Sequence, residues 1–223
     1  MLSASVSEIH LFHRCSRLLA YHRSGRKNAW KVGLAGTDQM PGTFFHDRIA
    51  APFYKTIASG TNNKVVRKLV YTLDRSTDEN RAEYLLAFLE SCFFIPVVTK
   101  YGKRFQARKI ITLGRGLELW NSCLTRFLNQ FDPVTEQKGW KTLLNKCFHD
   151  PEVVISVRCK LDEKTMIRVS GRYDALMLNP DKGEAIIVEF KGRKAGAPDE
   201  DFLQVALYGW LLNKRQVFLQ MLV

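Results

Sequence analysis

The sequence is short of acid. It holds 22 Asp and Glu against 34 Lys and Arg, a formal net charge of +12. That imbalance favours a polyanionic partner, nucleic acid first and an anionic membrane surface second, and charge alone does not choose between them. Cysteine is scarce as well: Cys15, Cys92, Cys123, Cys147 and Cys159 are odd in number, scattered, and form no C-x-x-C pair. This argues against a disulfide framework and for reduced thiols in an intracellular protein. No apolar run approaches ~18–20 residues, so no membrane span is expected. The N-terminus lacks the apolar stretch of a secretory signal. Its Ser, Arg and paucity of acids up to about Ala35 bear a faint likeness to an organelle transit peptide, kept as a minor alternative. No internal repeat and no domain boundary is visible.

What is present describes a folded domain. An apolar fraction of 46% and an aromatic fraction of 11% over 223 residues are enough for one α/β domain with a full core. Residues 1–150 read as mainly helical. Residues ~5–23 have helical spacing behind serine caps, and a helix from about Thr43 to Ala58 is expected to bend or stop at Pro52. "KVVRKLVYTL" fits a strand or a short helix. "STDENRAEYLLAFLESCFF" is a helix opened by a capping box, Ser76 to Glu79. "RGLELWNSCLTRFLNQF" is another, stopped near Pro133, and "VTEQKGWKTLLNKCF" a third, interrupted at Gly139. After Pro151 the period becomes two. "EVVISVRCKL" and "TMIRVSGRYDALML" read as strands, "EAIIVEFK" as a short central strand, "DEDFLQVALYGWLLNKR" as a helix and "QVFLQMLV" as a last strand. This order implies an α/β or α+β core over residues 151–223, preceded by a helical insertion.

The stretch "SGRYDALMLNPDKGEAIIVEFKGRK", residues 170–194, carries charges that a buried hairpin does not need. "NPDKG" supplies Pro and Gly for a tight reversal. A hairpin centred between Asp181 and Lys182 sets Asp174 directly opposite Glu189, with Cβ atoms roughly 4.5–5.5 Å apart. Lys191 then shares their face. Adjacent carboxylates repel unless a cation lies between them, and hard oxygen ligands suit Mg2+ or Mn2+. A lysine beside such an ion orients or polarises an attacking water, as metal-assisted phosphodiester hydrolysis requires. The alternative is an exposed sheet face whose acids and lysine are simply solvated.

Other residues bear on that choice. Gln204 and Tyr208 lie four apart on one helix face, away from Leu203, Ala206, Leu207 and Trp210. They are placed to meet a DNA backbone or to support Lys191, or are a surface Gln beside a half-buried Tyr. His46 follows Gly42 on a helix, where a lone histidine is more often an ordinary helix residue than a ligand. "KYGKRFQARK" has Lys100, Lys103, Arg104, Arg108 and Lys109 interleaved with Tyr101 and Phe105. Cations for phosphates with rings for bases is the composition of single-strand binding surfaces, and a solvated loop is the alternative.

Taken in order, Gly42 with His46, Gly171 to Asp174, Glu189-Phe190-Lys191, and Gln204 with Tyr208 resemble the PD-(D/E)XK nuclease superfamily in its RecB-like branch. The likeness includes Cys15 and Arg17, similar to the C-x-R start of iron–sulfur members such as CRISPR-associated exonucleases and recombination-helicase nuclease domains. It spans nearly the whole chain, with the middle matched only as a helical insertion. The resemblance implies a restriction-endonuclease-like mixed sheet flanked by helices, with residues 151–223 as the catalytic core. It implies that Asp174, Glu189 and the Phe190 carbonyl hold Mg2+ or Mn2+, with His46 as an added ligand. Lys191 would be the catalytic lysine, and Gln204 and Tyr208 would complete the site. The implied activity is a deoxyribonuclease that works on single-stranded DNA or DNA ends as an exonuclease. DNA is the implied partner, and a helicase or nuclease complex the implied setting. Iron–sulfur members place three further cysteines after the Gln/Tyr helix; this sequence has none there, so no iron–sulfur cluster is expected. Two rivals are a non-catalytic nucleic-acid-binding module of a larger repair or defence complex and a restriction-type endonuclease. The intact Asp, Glu and Lys speak against the first.

Overall fold

Pro52 stops no helix. The computed structural model describes residues 2–9, 41–149, 154–160, 162–179, 182–189 and 198–214, with backbone alone at 104, 132–138, 149 and 198–201. Helix α1 (Pro41–Phe45) passes through a π-helical turn, His46–Ala50, directly into α2 (Ala51–Ala58). The Ala51 N–H reaches the His46 carbonyl across the widened turn, just before the proline that has no N–H to give. The device recurs where α4 (Arg81–Leu89) runs through the π turn Glu90–Phe94 into α5 (Ile95–Tyr101), with Pro96 in its first turn. Between them, α3 (Lys64–Asp74) settles "KVVRKLVYTL" as a helix. Asn63 caps it by accepting the Val65 N–H at 2.8 Å.

The expected capping box fails. The Ser76 hydroxyl donates to the Leu73 carbonyl at 2.9 Å, and Asn80 Oδ1 accepts the Thr77 N–H at 2.7 Å, so α4 starts only at Arg81. Helix α6 (Ala107–Leu128) starts earlier than expected, at Ala107 rather than Arg115. Pro133 opens α7 (Asp132–Cys147) instead of ending α6, because a first-turn N–H has no helical partner to lose. Gly139, at φ +69°, kinks α7 where an interruption was expected.

Strands follow. β1 (Leu2–Ser5) lies parallel to β4 (Met166–Gly171), which pairs antiparallel with β3 (Ile155–Lys160). β5 (Ala175–Asn179) pairs antiparallel with β2 (Phe148–His149) and β6 (Glu184–Val188). The mixed α/β arrangement, with a helical insertion ahead of the hairpin, is the one expected. Two details differ. The stretch read as one strand breaks at residues 172–174 into β4 and β5, which belong to different ladders. The Tyr208 hydroxyl takes the Arg172 carbonyl at 2.8 Å, and this is where the break falls. β6, read as central, is an edge strand among the described residues. The expected serine cap is present: Ser5 and Glu8 exchange bonds reciprocally at 2.8 and 3.1 Å, and residues 6–9 are helical. The remainder of that helix and the expected last strand lie outside the described residues.

Helix α8 (Pro198–Lys214) covers β3, β4 and β6. β5 is the wall between two apolar cores. Ala175 and Met177 join the helical core around Phe53, Trp120 and Phe127, whereas Leu176 and Leu178 join Val6, Ile155, Tyr208 and Leu211. That division is the period of two of a strand buried on both faces. A buried cation ties the helices together. Arg81 pairs with Asp78 and with Asn129 Oδ1, both at 2.6 Å, and lies over Trp140.

One helical stretch, Arg81–Tyr101, is long and apolar enough to cross a membrane by length and composition. Reading for uninterrupted apolar runs missed it because Glu83 and Glu90 break the run. Arg81, Leu85, Phe88, Leu89 and Phe93 within it are packed inside the fold. Cys147 is buried, Cys92 and Cys159 are half-buried, and Cys123 is exposed. Cys15 lies outside the described residues.

Candidate active site

The β5–β6 ladder pairs Ala175 with Val188 and Asn179 with Glu184. The ladder ends there, and its register, which is the one read from the sequence, puts Asp174 opposite Glu189 when extended by one position. Its turn is held by Asn179 Oδ1, which accepts the Lys182 N–H at 3.1 Å, and by Gly183 at φ +64°. A side chain is disfavoured at that φ.

His46 reaches Asp174 from the helical side. It opens the π turn, and its Nε2 lies 3.5 Å from Asp174 Oδ1. Its Nδ1 lies 2.9 Å from Asp47 Oδ1. An ionised carboxylate only accepts, so Asp47 favours a proton on Nδ1 and orients the ring. Nε2 then presents either a lone pair beside Asp174, as two ligands of one cation do, or the second N–H of an imidazolium ion pair.

Glu189 is held from α8. Gln204 Nε2 donates to Glu189 Oε1 at 2.7 Å and to the Tyr208 hydroxyl at 3.3 Å. Gln204 and Tyr208 are buried with Leu211 and Leu212, while Ala206 and Trp210 face outward. The Gln204 amide is thus engaged on a carboxylate, where contact with a DNA backbone or Lys191 was expected. Burial pushes the Tyr208 phenol up to about 12, helped by the Glu189 and Asp174 charges and opposed by the Gln204 bond. It remains a neutral donor at any working pH, and its bond goes to the Arg172 carbonyl. Gly171 makes room for it: a Cβ there would stand 2.6 Å from Tyr208 Cε1 and 2.7 Å from Val6 Cγ2.

Two carboxylates and an imidazole are a suitable donor set for Mg2+ or Mn2+. Among the described residues, no three His, Cys, Asp or Glu side chains gather at metal-holding distances. The contacts bring His46 to Asp174 and Glu189 to Gln204 as two pairs. Phe190 and Lys191 lie outside the described residues.

The model of the PD-(D/E)XK nuclease superfamily matches residues 3–220. The chain belongs to the PD-(D/E)XK nuclease superfamily. Comparison with curated proteins and with solved structures found no match. The mixed α/β architecture is consistent with the restriction-endonuclease-like fold of the superfamily. Its members are usually metal-dependent nucleases, generally using divalent ions such as Mg2+ or Mn2+, so membership implies a nuclease with DNA as substrate.

The basic stretch lies at the α5–α6 junction. Lys100 is near the end of α5, Lys103 and Arg104 are in the 3-10 turn Gly102–Arg104, and Arg108 and Lys109 are in the first turn of α6. Tyr101 and Phe105 pack edge-to-face on Phe44, at 5.7 and 4.9 Å between centroids, rather than standing free as base platforms. Sequence reasoning missed Asp47, although an acid directly after a candidate histidine was the available signal. The Arg172 carbonyl had no sequence signal, since any residue supplies one.

Proposed function

We propose that the chain is a RecB-like, divalent-metal-dependent deoxyribonuclease acting on single-stranded DNA or DNA ends. The observation that carries this reading is the approach of His46, from the helical insertion, to 3.5 Å from Asp174, which flanks the β5–β6 hairpin. His46, Asp174, Glu189 and the Phe190 carbonyl would hold the ion, and Lys191 would be the catalytic lysine. A bound divalent ion supplies a Lewis acid for the phosphoryl oxygens and lowers the pKa of a water. Asp47 orients the imidazole through Nδ1. Gln204 fixes the Glu189 carboxylate, and Tyr208 anchors Gln204 while staying protonated. Both helix α8 residues act through Glu189, as positioning groups. The cations of residues 100–109 would contact phosphates.

End-labelled linear and circular single-stranded DNA, with Mg2+ or Mn2+ against EDTA, test this reading. Linear DNA should be degraded only with metal, circular DNA should resist, and Glu189→Ala should lose at least about a hundredfold in rate while melting like the wild type. Equal cutting of circles would replace the exonuclease by an endonuclease. Cleavage in EDTA, or wild-type rates in Glu189→Ala, would remove the metal mechanism.

A further inference from the structure

The α1 segment carries two opposed faces. His46 is turned toward Asp174. Phe44 and Arg48, two residues to either side, are four apart and share the other face. Phe44 is buried against Tyr101 and Phe105. The Arg48 guanidinium carbon lies 5.6 Å from the Tyr101 centroid, and Lys100 Nζ lies 5.4 Å from the same centroid. Lys109 Nζ stands 4.6 Å from the Phe105 centroid and 5.3 Å from that of Phe44. Three packed rings thus gather three cations from three elements.

Of these, Arg48 and Lys100 have little to neutralise them. Arg48, Lys100 and the neighbouring Lys103 and Arg108 are exposed, and none is in an ion pair between described residues. The sequence has no Asp or Glu from Ser91 to Leu117. In the π turn that carries Arg48, the nearest acid, Asp47, is engaged with His46. Ring faces steady the cationic heads without discharging them, so Arg48 and Lys100 remain available to an anion. The spread of cations along the junction suits a chain of phosphates rather than a single one.

We infer that Arg48 and Lys100 form a phosphate clamp for the backbone of a single nucleic-acid strand, on the side of the α1–α2 helical segment opposite His46. The inference rests on the nuclease reading and adds Arg48 as a substrate-gripping residue. One helix then joins the grip to the site: it holds a phosphate on one side and the proposed metal ligand on the other.

The test is fluorescence anisotropy of a labelled oligothymidylate over a salt series in EDTA, where binding is read without cleavage. Arg48→Gln and Lys100→Gln should each flatten the log–log salt slope by about 0.7, and the double variant by about 1.4. Lys141→Gln, an exposed lysine on α7, should leave the slope unchanged. Mn2+ affinity should be unaltered in the double variant. A wild-type slope in the double variant overturns the clamp, even if the enzyme cleaves normally. A duplex probe that binds more tightly and loses the same slope overturns the single-strand assignment. If instead Glu189→Ala cleaves at wild-type rate while the slopes fall as expected, the clamp stands and the metal mechanism falls.

Discussion

The two cores of this protein are filled in different ways. Around Phe53 the rings of Trp120, Phe93 and Phe148 stand edge-to-face at 5.0, 5.6 and 6.0 Å, and the Trp120 indole donates to the Tyr54 hydroxyl at 3.2 Å. Around Tyr208 the second core admits a polar chain, from the Arg172 carbonyl through the Tyr208 hydroxyl and the Gln204 amide to Glu189. The first core stabilises through area and packing. The second gives up apolar contact to hold a carboxylate in place. Asp174 lies where they meet, and the helical insertion contributes His46 to it. The insertion is therefore a working part of the proposed site.

Breaking the helical core should have the largest effect on stability. Phe53 is 1% exposed, and Phe53→Ala should cost about 3–5 kcal/mol in urea unfolding. Gly171→Ala probes the other core. It forces Tyr208 or Val6 to move and should cost about 1–3 kcal/mol. Because Tyr208 carries Gln204, this variant should also lose cleavage beyond its stability loss, whereas Phe53→Ala should lose cleavage only in proportion to the fraction unfolded. Tyr208→Phe is milder, at about 0.5–1.5 kcal/mol, the worth of one hydrogen bond.

Alkaline unfolding sharpens the comparison. The Tyr208 phenol rises from its ordinary 10.0 to about 12, so the fold holds that proton more tightly than the unfolded chain does. Its contribution is complete below pH 10 and is lost as pH rises through about 12. The buried Tyr54 phenol is raised as well, chiefly by desolvation. Tyr208→Phe and Tyr54→Phe should each reduce the fall in stability above pH 10, measured against wild type at each pH.

The sequence was most informative where local pattern and chemistry coincide. The turn residues of "NPDKG" and the alternation on either side set the register in which Ala175 pairs with Val188 and Asn179 with Glu184. The spacing of Gln204 and Tyr208 placed them on one face. Helix limits were harder, because Ser76, Asn80 and Pro133 carry signals that two adjoining elements share. Pro52 and Pro96 reached the opposite outcome from a stop because the chain widened into π turns first, an i→i+5 pattern with no residue signature. The break between β4 and β5 was hidden because a hydroxyl from α8, distant in sequence, takes the carbonyl. Asp47 was passed over because neighbours in sequence on a regular helix point apart, and the π turn brings this pair together.

The measurement that bears most directly on the shared site is Mn2+ binding by calorimetry, on the wild type and on His46→Ala, Asp174→Ala and Glu189→Ala, with melting curves alongside. The account predicts that each variant, one from the helical side and two from the hairpin, loses at least about tenfold in affinity for the same ion while remaining folded. Wild-type affinity in His46→Ala together with loss in the two carboxylate variants would contradict it, leaving a site built by the hairpin alone.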